Sequence, residues 1–316
     1  LVNSNRGIES GQVAECFLTI TEKSDSGASG NSNSIKKVIG LELDILGETL
    51  DFHIGVYKER ARLADIVPPA RALCDRITEI VLRRIGSDED HIPCGEGCSA
   101  CCKRCLVPVS VPEALRFKEE IIAEPASRRE SVWKACLRAA RLILRQRPPG
   151  SFIDQMDTSS SMQSVDIGAI SNWYKSFNLS CPFLYNNVCG IYEQRPLACR
   201  EHFIKGSSAV CSGLGGVAEV IEMPVQLPNV LGRLASELEG GQMESVILPL
   251  ALIWCQENPE RAERTWPADT MVRRFVQIVE TMARRNMPAA AGRKSSIIDV
   301  SKKRRAANQL CRLSSG

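Results

Sequence analysis

The sequence predicts an α+β fold that is mainly helical, with an N-terminal β-hairpin followed by helices packed around two cysteine-rich stretches. Three observations predict it. Between residues 36 and 56, apolar and polar residues alternate on both sides of Gly47, which is the period of strands with one buried face. After Pro68 the apolar period changes to three and four, which marks a helix with one buried stripe. The cysteines also cluster. Five of them fall within Cys94–Cys105, and Cys181, Cys189, Cys199 and Cys211 follow in a second stretch.

Taken in order, residues 1–34 contain SDSGASGNSNS, a composition expected of a disordered leader. The hairpin follows. Ile39, Leu41, Leu43 and Ile45 form one apolar row, and Leu50, Phe52, Ile54 and Val56 the other. His53 falls on the polar face and is expected to be solvated. Pro68-Pro69 opens a helix to about Arg84, with Ala70, Leu73, Cys74, Ile77, Ile80 and Val81 on its buried face and Gly86 as its stop. Ser110 and Glu113 form a capping box with Pro112 in the first turn, so a second helix starts there and reaches about Glu124. A third, from about Ala126 to Gln146, buries Val132, Ala135, Cys136, Ala139 and Ile143. Residues 150–165 read as a loop and 217–223 as a strand. Helical patterns then cover about 228–238, 243–257 and 270–285. Cys74, Cys136 and Cys255 lie on apolar faces and are expected to act as small buried hydrophobes.

The expected organisation is a leader over 1–34, one domain over 35–286 and a basic disordered tail over 287–316. Within the domain, 35–90 holds the hairpin and first helix, 91–215 the cysteine core, and 216–286 a C-terminal helical part. From Arg284 onward nine Lys/Arg face Asp299 alone, whereas the whole chain carries a net charge of only +3. Such a run can touch acidic partners. No aromatic residues interleave with it, so the single-strand stacking pattern is missing and nucleic acid is disfavoured.

Hydrophobic residues at 44% and charged residues at 24% are ordinary for a soluble protein. The longest apolar run, Val246–Cys255, spans ten residues and contains Pro249. A bilayer needs about 20, so no membrane insertion is expected. The first thirty residues show no signal-peptide pattern, and the chain reads as cytoplasmic. In a reducing compartment, fourteen cysteines point to metal binding or redox chemistry rather than disulfides. There is no P-loop, no GxGxxG after a strand, no HExxH and no G-x-S-x-G, so no standard catalytic constellation is visible.

Thiolates are the ligands that zinc, iron and iron–sulfur clusters favour. The first stretch has the spacing Cys94-x3-Cys98-x2-Cys101-Cys102. If Cys98 begins a helical turn, Cys101 and Cys102 share its face. Gly95 and Gly97 allow backbone conformations that could aim N–H groups at sulfur. With Cys181, Cys189, Cys199 and Cys211 there are eight candidate thiols. Eight could serve two zinc ions, or hold one four-thiolate cluster with four to spare. Lys103, Arg104, Arg195 and Arg200 neighbour these cysteines and could offset their charge. His202, His91 and Cys105 are further candidates whose roles stay open.

CGEGCSACC followed by CPFLYNNVCGIYEQRPLACR resembles the YkgJ-type cysteine-cluster family, described as a zinc- or iron-chelating domain. The matching residues are Cys94, Cys98, Cys101, Cys102, Cys181, Cys189, Cys199 and Cys211, with Arg195, Pro196 and Arg200. The resemblance implies that the eight cysteines bind metal, as an iron–sulfur cluster or a zinc or iron ion, with Arg195 and Arg200 beside it. The expected fold thus becomes one of helices packed around a cysteine-ligated metal site. A similar cysteine domain occurs in flagellin lysine N-methylases, but no motif here supports methyl transfer. The expected function is a metal-binding protein using an iron–sulfur cluster or iron in a redox or accessory-enzyme role. The alternative is a non-catalytic zinc module that presents a surface to a protein partner. Cys105 and the basic tail lie outside the family pattern.

Overall fold

The structure, a computed structural model, describes residues 18–20, 37–85, 91–146, 167–214, 216 and 219–286. The expected tail over 287–316, the whole 150–165 loop and most of the 1–34 leader lie outside these residues. The exception in the leader is β1 (Leu18–Ile20), which pairs antiparallel with residues Ile54–Val56.

The alternating stretch forms β2 (Lys37–Ile45) and β3 (Glu48–Val56). Leu46 and Gly47 at the turn both take positive φ, and the Gly47 N–H donates to Asp44 Oδ1 at 2.8 Å. Both predicted apolar rows are buried. His53 is half-buried, its Nδ1 3.6 Å from Asp51. A short strand, β4 (Arg60–Ala61), leads through a 3-10 turn into α1 (Val67–Ile85), whose predicted apolar stripe is buried.

The chain then passes through the first cysteine stretch into β5 (Pro108–Ser110), α2 (Val111–Ala123) and α3 (Ala126–Arg145). The capping box is present, with the Ser110 N–H and Oγ donating to Glu113 Oε2 at 3.0 and 2.7 Å. The sequence reading missed α4 (Ile167–Ser176), although Ile170, Trp173, Tyr174 and Phe177 recur at helical spacing. The second cysteine stretch holds β6 (Leu184–Tyr185), β7 (Val188–Cys189), α5 (Leu197–Arg200) and β8 (Ile204–Lys205). The strand expected over 217–223 is only β9 (Glu219–Val220), paired with β8.

Next comes α6 (Leu227–Glu239), which ends on Gly240 at φ 71°, a left-handed cap that glycine takes without strain. The helix expected over 243–257 is a strand and a helix. β10 (Ser245–Ile247) pairs with β5, Pro249 sits in a 3-10 turn, and only α7 (Ala251–Glu257) is helical. Pro249 lacks an amide donor for a continuous helix, and the β-branched Val246 and Ile247 suit the strand. After α8 (Pro259–Glu263), β11 (Trp266–Pro267) pairs with β4, and α9 (Ala268–Asn286) closes the described chain.

Two cores result. In the first, the hairpin packs against α1, α6 and α9. In the second, α2, α3 and α7 pack together, with Phe183 and Ile191 of the second cysteine stretch among them. Leu197 of α5 belongs to the first core, while Cys181 and Cys189 pack against the second. The cysteine-rich stretches therefore lie at the junction between the cores. Among the described residues, no helix is long and apolar enough to cross a membrane.

Candidate metal centre

The first stretch is turn rather than helix at Cys98. Gly97 takes φ 89°, and the Cys98 N–H donates to the Gly95 carbonyl at 3.1 Å. Gly97 needs its missing Cβ here, whereas Gly95 does not take a positive φ. Cys101 and Cys102 lie on a 3-10 turn (Cys101–Lys103), so the expected helical turn starting at Cys98 does not form. The Cys105 N–H donates to the Cys101 carbonyl at 2.8 Å and keeps the fifth cysteine local.

The second stretch begins against the first, because the Cys181 N–H donates to the Cys102 carbonyl at 2.6 Å. A tight hairpin carries the chain from Cys181 to Cys189. Its turn residues, Asn186 and Asn187, have φ 49° and 61°, as a two-residue hairpin turn requires. That Asn-Asn pair was a readable turn signal. Cys199 then rides on α5, and Cys211 follows a 3-10 turn (Ser208–Val210). Arg104 ties this end back to the first stretch, since its Nη1 donates to the Ser212 carbonyl at 3.1 Å.

The twelve described cysteines are all free thiols. Thiols of the two stretches come near one another around Cys101. The thiols of Cys102, Cys105, Cys181, Cys199, Cys211 and Cys94 are all within electrostatic reach of Cys101. Their environment favours the protonated form. The hydrogen bond between the Cys101 and Cys102 thiols, followed by burial, raises Cys101 far above the usual thiol range. Burial pushes Cys181 up to about 12 and Cys211 to about 11, and it raises Cys94, Cys105 and Cys199. Backbone amides oppose this, the Phe183 N–H toward Cys181, the Ile204 N–H toward Cys94 and those of Cys101 and Cys102 toward Cys101. Such N–H···S contacts stabilise thiolates. Among the described residues, no three His, Cys, Asp or Glu side chains already enclose a point where an ion could sit.

The basic residues divide. Arg195 stacks 3.7 Å above the Tyr192 ring and lies close enough to Cys199 to favour its thiolate. Arg200 is spent elsewhere. Its buried guanidinium grips Asp75 on α1, with Nη1 2.6 and 2.7 Å from the two carboxylate oxygens, and also donates to the Arg195 and Glu193 carbonyls. Lys103 is exposed, as is His91, whose carbonyl accepts from the Gly206 N–H at 2.9 Å. Burial holds the His202 imidazole below its usual range. Cys74, Cys136 and Cys255 are buried in the cores, as the sequence predicts.

Sequence reasoning missed the residues that fix α5. Glu113 Oε1 accepts the Leu197 N–H at 2.7 Å while its Oε2 caps α2. Glu201 Oε1 accepts the Leu227 N–H at 2.7 Å, and burial pushes its carboxyl up to about 8. Together with Arg200, these groups fasten the four-residue helix bearing Cys199 to α1, α2 and α6. Buried polar groups left without such partners would be costly, so the arrangement fixes where Cys199 stands.

This donor set fits a metal centre. Thiols from separate segments meet at a core junction, and the buried Arg104 Nε, beside Cys105, has no acceptor among the described residues. A negatively charged thiolate centre could accept that bond. The family comparison agrees. Residues 93–212 match the family model CxxCxxCC, whose description is "Putative zinc- or iron-chelating domain". This stretch is similar to the chelating domain of the YkgJ-type family. The match starts just before Cys94 and ends just after Cys211, so the matched stretch contains all eight candidate cysteines. No curated protein and no solved structure matches the chain.

Proposed function

We propose that Cys94, Cys98, Cys101, Cys102, Cys181, Cys189, Cys199 and Cys211 hold iron, as an iron–sulfur cluster or thiolate-bound iron, in a redox or accessory-enzyme role in the cytoplasm. The observation that supports this reading is that free thiols of two separate stretches come near one another where the two cores join. All-thiolate ligation closes a site to substrate, which suits electron transfer or support of another enzyme's chemistry. Iron would supply the one-electron step. The chain's own residues gather the thiols and balance charge through Arg195 and Arg104. The buried thiols must lose protons as metal enters, so binding free energy is coupled to folding.

One observation favours a second reading, a non-catalytic zinc module. Glu113, Arg200 and Glu201 tie α5 to three helices, so a metal here would also brace the structure. Anaerobic purification with measurement of iron, acid-labile sulfide and zinc separates the two. Iron with a brown visible spectrum supports the first reading. Stoichiometric zinc in a colourless protein overturns it in favour of the second.

A further inference from the structure

A cavity of about 470 Å³ opens between α2, α3 and α7, and none of the described cysteines lines it. That volume lies within the range of small-molecule sites. Its apolar lining comes from all three helices. Ile121 of α2 and Leu252 of α7 are buried residues of the second core, and Trp133 of α3 packs against them. Ile122 reaches the same cavity while 54% exposed, so apolar surface faces an opening here. The charged lining consists of Lys118, Arg129 and Glu130. Glu130 is already paired, with its Oε1 2.7 Å from Lys134 Nζ. The two cations are not. Among the described residues, Lys118 Nζ makes one long bond, to the Cys255 carbonyl at 3.4 Å, and the Arg129 side chain donates only to the Ile122 carbonyl, at 3.0 Å. Neither has a carboxylate partner. The nearby Glu119 and Glu120 of α2 are taken by Arg62, Arg71 and Arg116.

We propose that this cavity binds a small amphipathic carboxylate, an organic acid with an apolar acyl or aryl body. The body lies against Trp133, Ile121 and Leu252, and the carboxylate meets Lys118 and Arg129. Each part of the lining calls for one part of such a ligand. The apolar wall alone would accept a neutral hydrocarbon, but that would leave two cations without a counter-charge. A guanidinium presents paired N–H donors that match a carboxylate, and an ammonium adds a compact charge. Apolar surroundings strengthen both contacts. The same surroundings would penalise a carboxylate that lacked such partners, so the two cations are what fit the cavity to an acid. The site uses none of the candidate metal ligands. It goes beyond the metal reading and neither needs nor supports it.

The test is equilibrium dialysis of the full chain against octanoate, with octanol as a neutral probe of equal chain length. Octanoate should bind saturably, one per chain, with a Kd below about 1 mM. Octanol should bind roughly tenfold more weakly or worse. Lys118→Gln and Arg129→Gln should each weaken octanoate roughly tenfold, as the loss of one charge-assisted hydrogen bond allows. Ala126 lines the cavity at an exposed position, so Ala126→Trp should fill the space and abolish binding without disturbing the core. Arg141 is exposed on the same helix but outside the cavity, and Arg141→Gln should change nothing. Circular dichroism establishes that each variant is folded. No saturable binding, equal affinity for octanol, or a folded Ala126→Trp that still binds would each overturn the proposal. So would unchanged binding in both charge variants, or an equal loss in Arg141→Gln, which would show general attraction to a basic surface.

Discussion

The two cysteine stretches meet but are held in place differently. Residues 94–105 are shaped by local turns, with Gly97 at positive φ and amide bonds that reach back three or four residues. Residues 181–211 are fastened from a distance. Glu113 reaches Leu197 across 84 residues, Asp75 meets Arg200 across 125, and Glu201 holds Leu227 across 26. The protein thus positions Cys199 through its own buried polar contacts, while Cys98 rests on a local turn. The difference teaches that one stretch depends on its own turns and the other on buried contacts made across the fold.

The largest effect should come from Glu113→Ala. It removes the cap of α2 and leaves the buried Leu197 amide without an acceptor, costing roughly 3–5 kcal/mol. Urea unfolding of the full chain measures it. A loss below about 1 kcal/mol, the scale of one ordinary hydrogen bond, would show that α5 is not held from α2.

Arg200→Ala should cost less, about 2–3 kcal/mol, because its Asp75 partner is exposed and can return to water. The same unfolding measurement applies. Equal losses in Arg200→Ala and Arg83→Ala, whose side chain is exposed, would contradict the proposed anchoring to α1.

Chelation should then separate the stretches without unfolding the protein. Amide exchange should speed up across 94–105 and change little across 197–200, whose bonds do not depend on metal. Uniform acceleration over both would erase the contrast.

The smallest effect should come from a pair remote from both stretches. Lys37 Nζ lies 2.6 Å from Asp269 Oδ2, and its hydrogen bond holds the Asp269 carboxyl below the usual range. A depressed carboxyl contributes stability above its unfolded pKa and loses it as pH falls through the folded value. The pair is partly exposed, so Asp269→Asn should cost under about 1 kcal/mol near neutral pH and nothing in strong acid. A pH-independent loss would rule out the ion pair as its cause.

Much of the first core was legible in the sequence because its signals are local. The period-two rows of the hairpin, the stripe of α1 and the Ser110–Glu113 box each sit within a few residues. The run from Val246 to Cys255 misled because a short apolar run fits a strand or a helix equally well, and β10 was decided by its partner β5. The clustering of the cysteines into two stretches was legible from their spacing. Glu113 was recognised only as a cap. Its second oxygen serves α5, and no local pattern announces a bond across 84 residues.

The central claim is that the metal is held by thiolates of residues 94–211. X-ray absorption at the edge of whichever metal copurifies anaerobically tests it most directly. The account predicts a shell of sulfur alone, at about 2.3 Å if the metal is zinc or iron in thiolate coordination. A shell dominated by nitrogen or oxygen would contradict it.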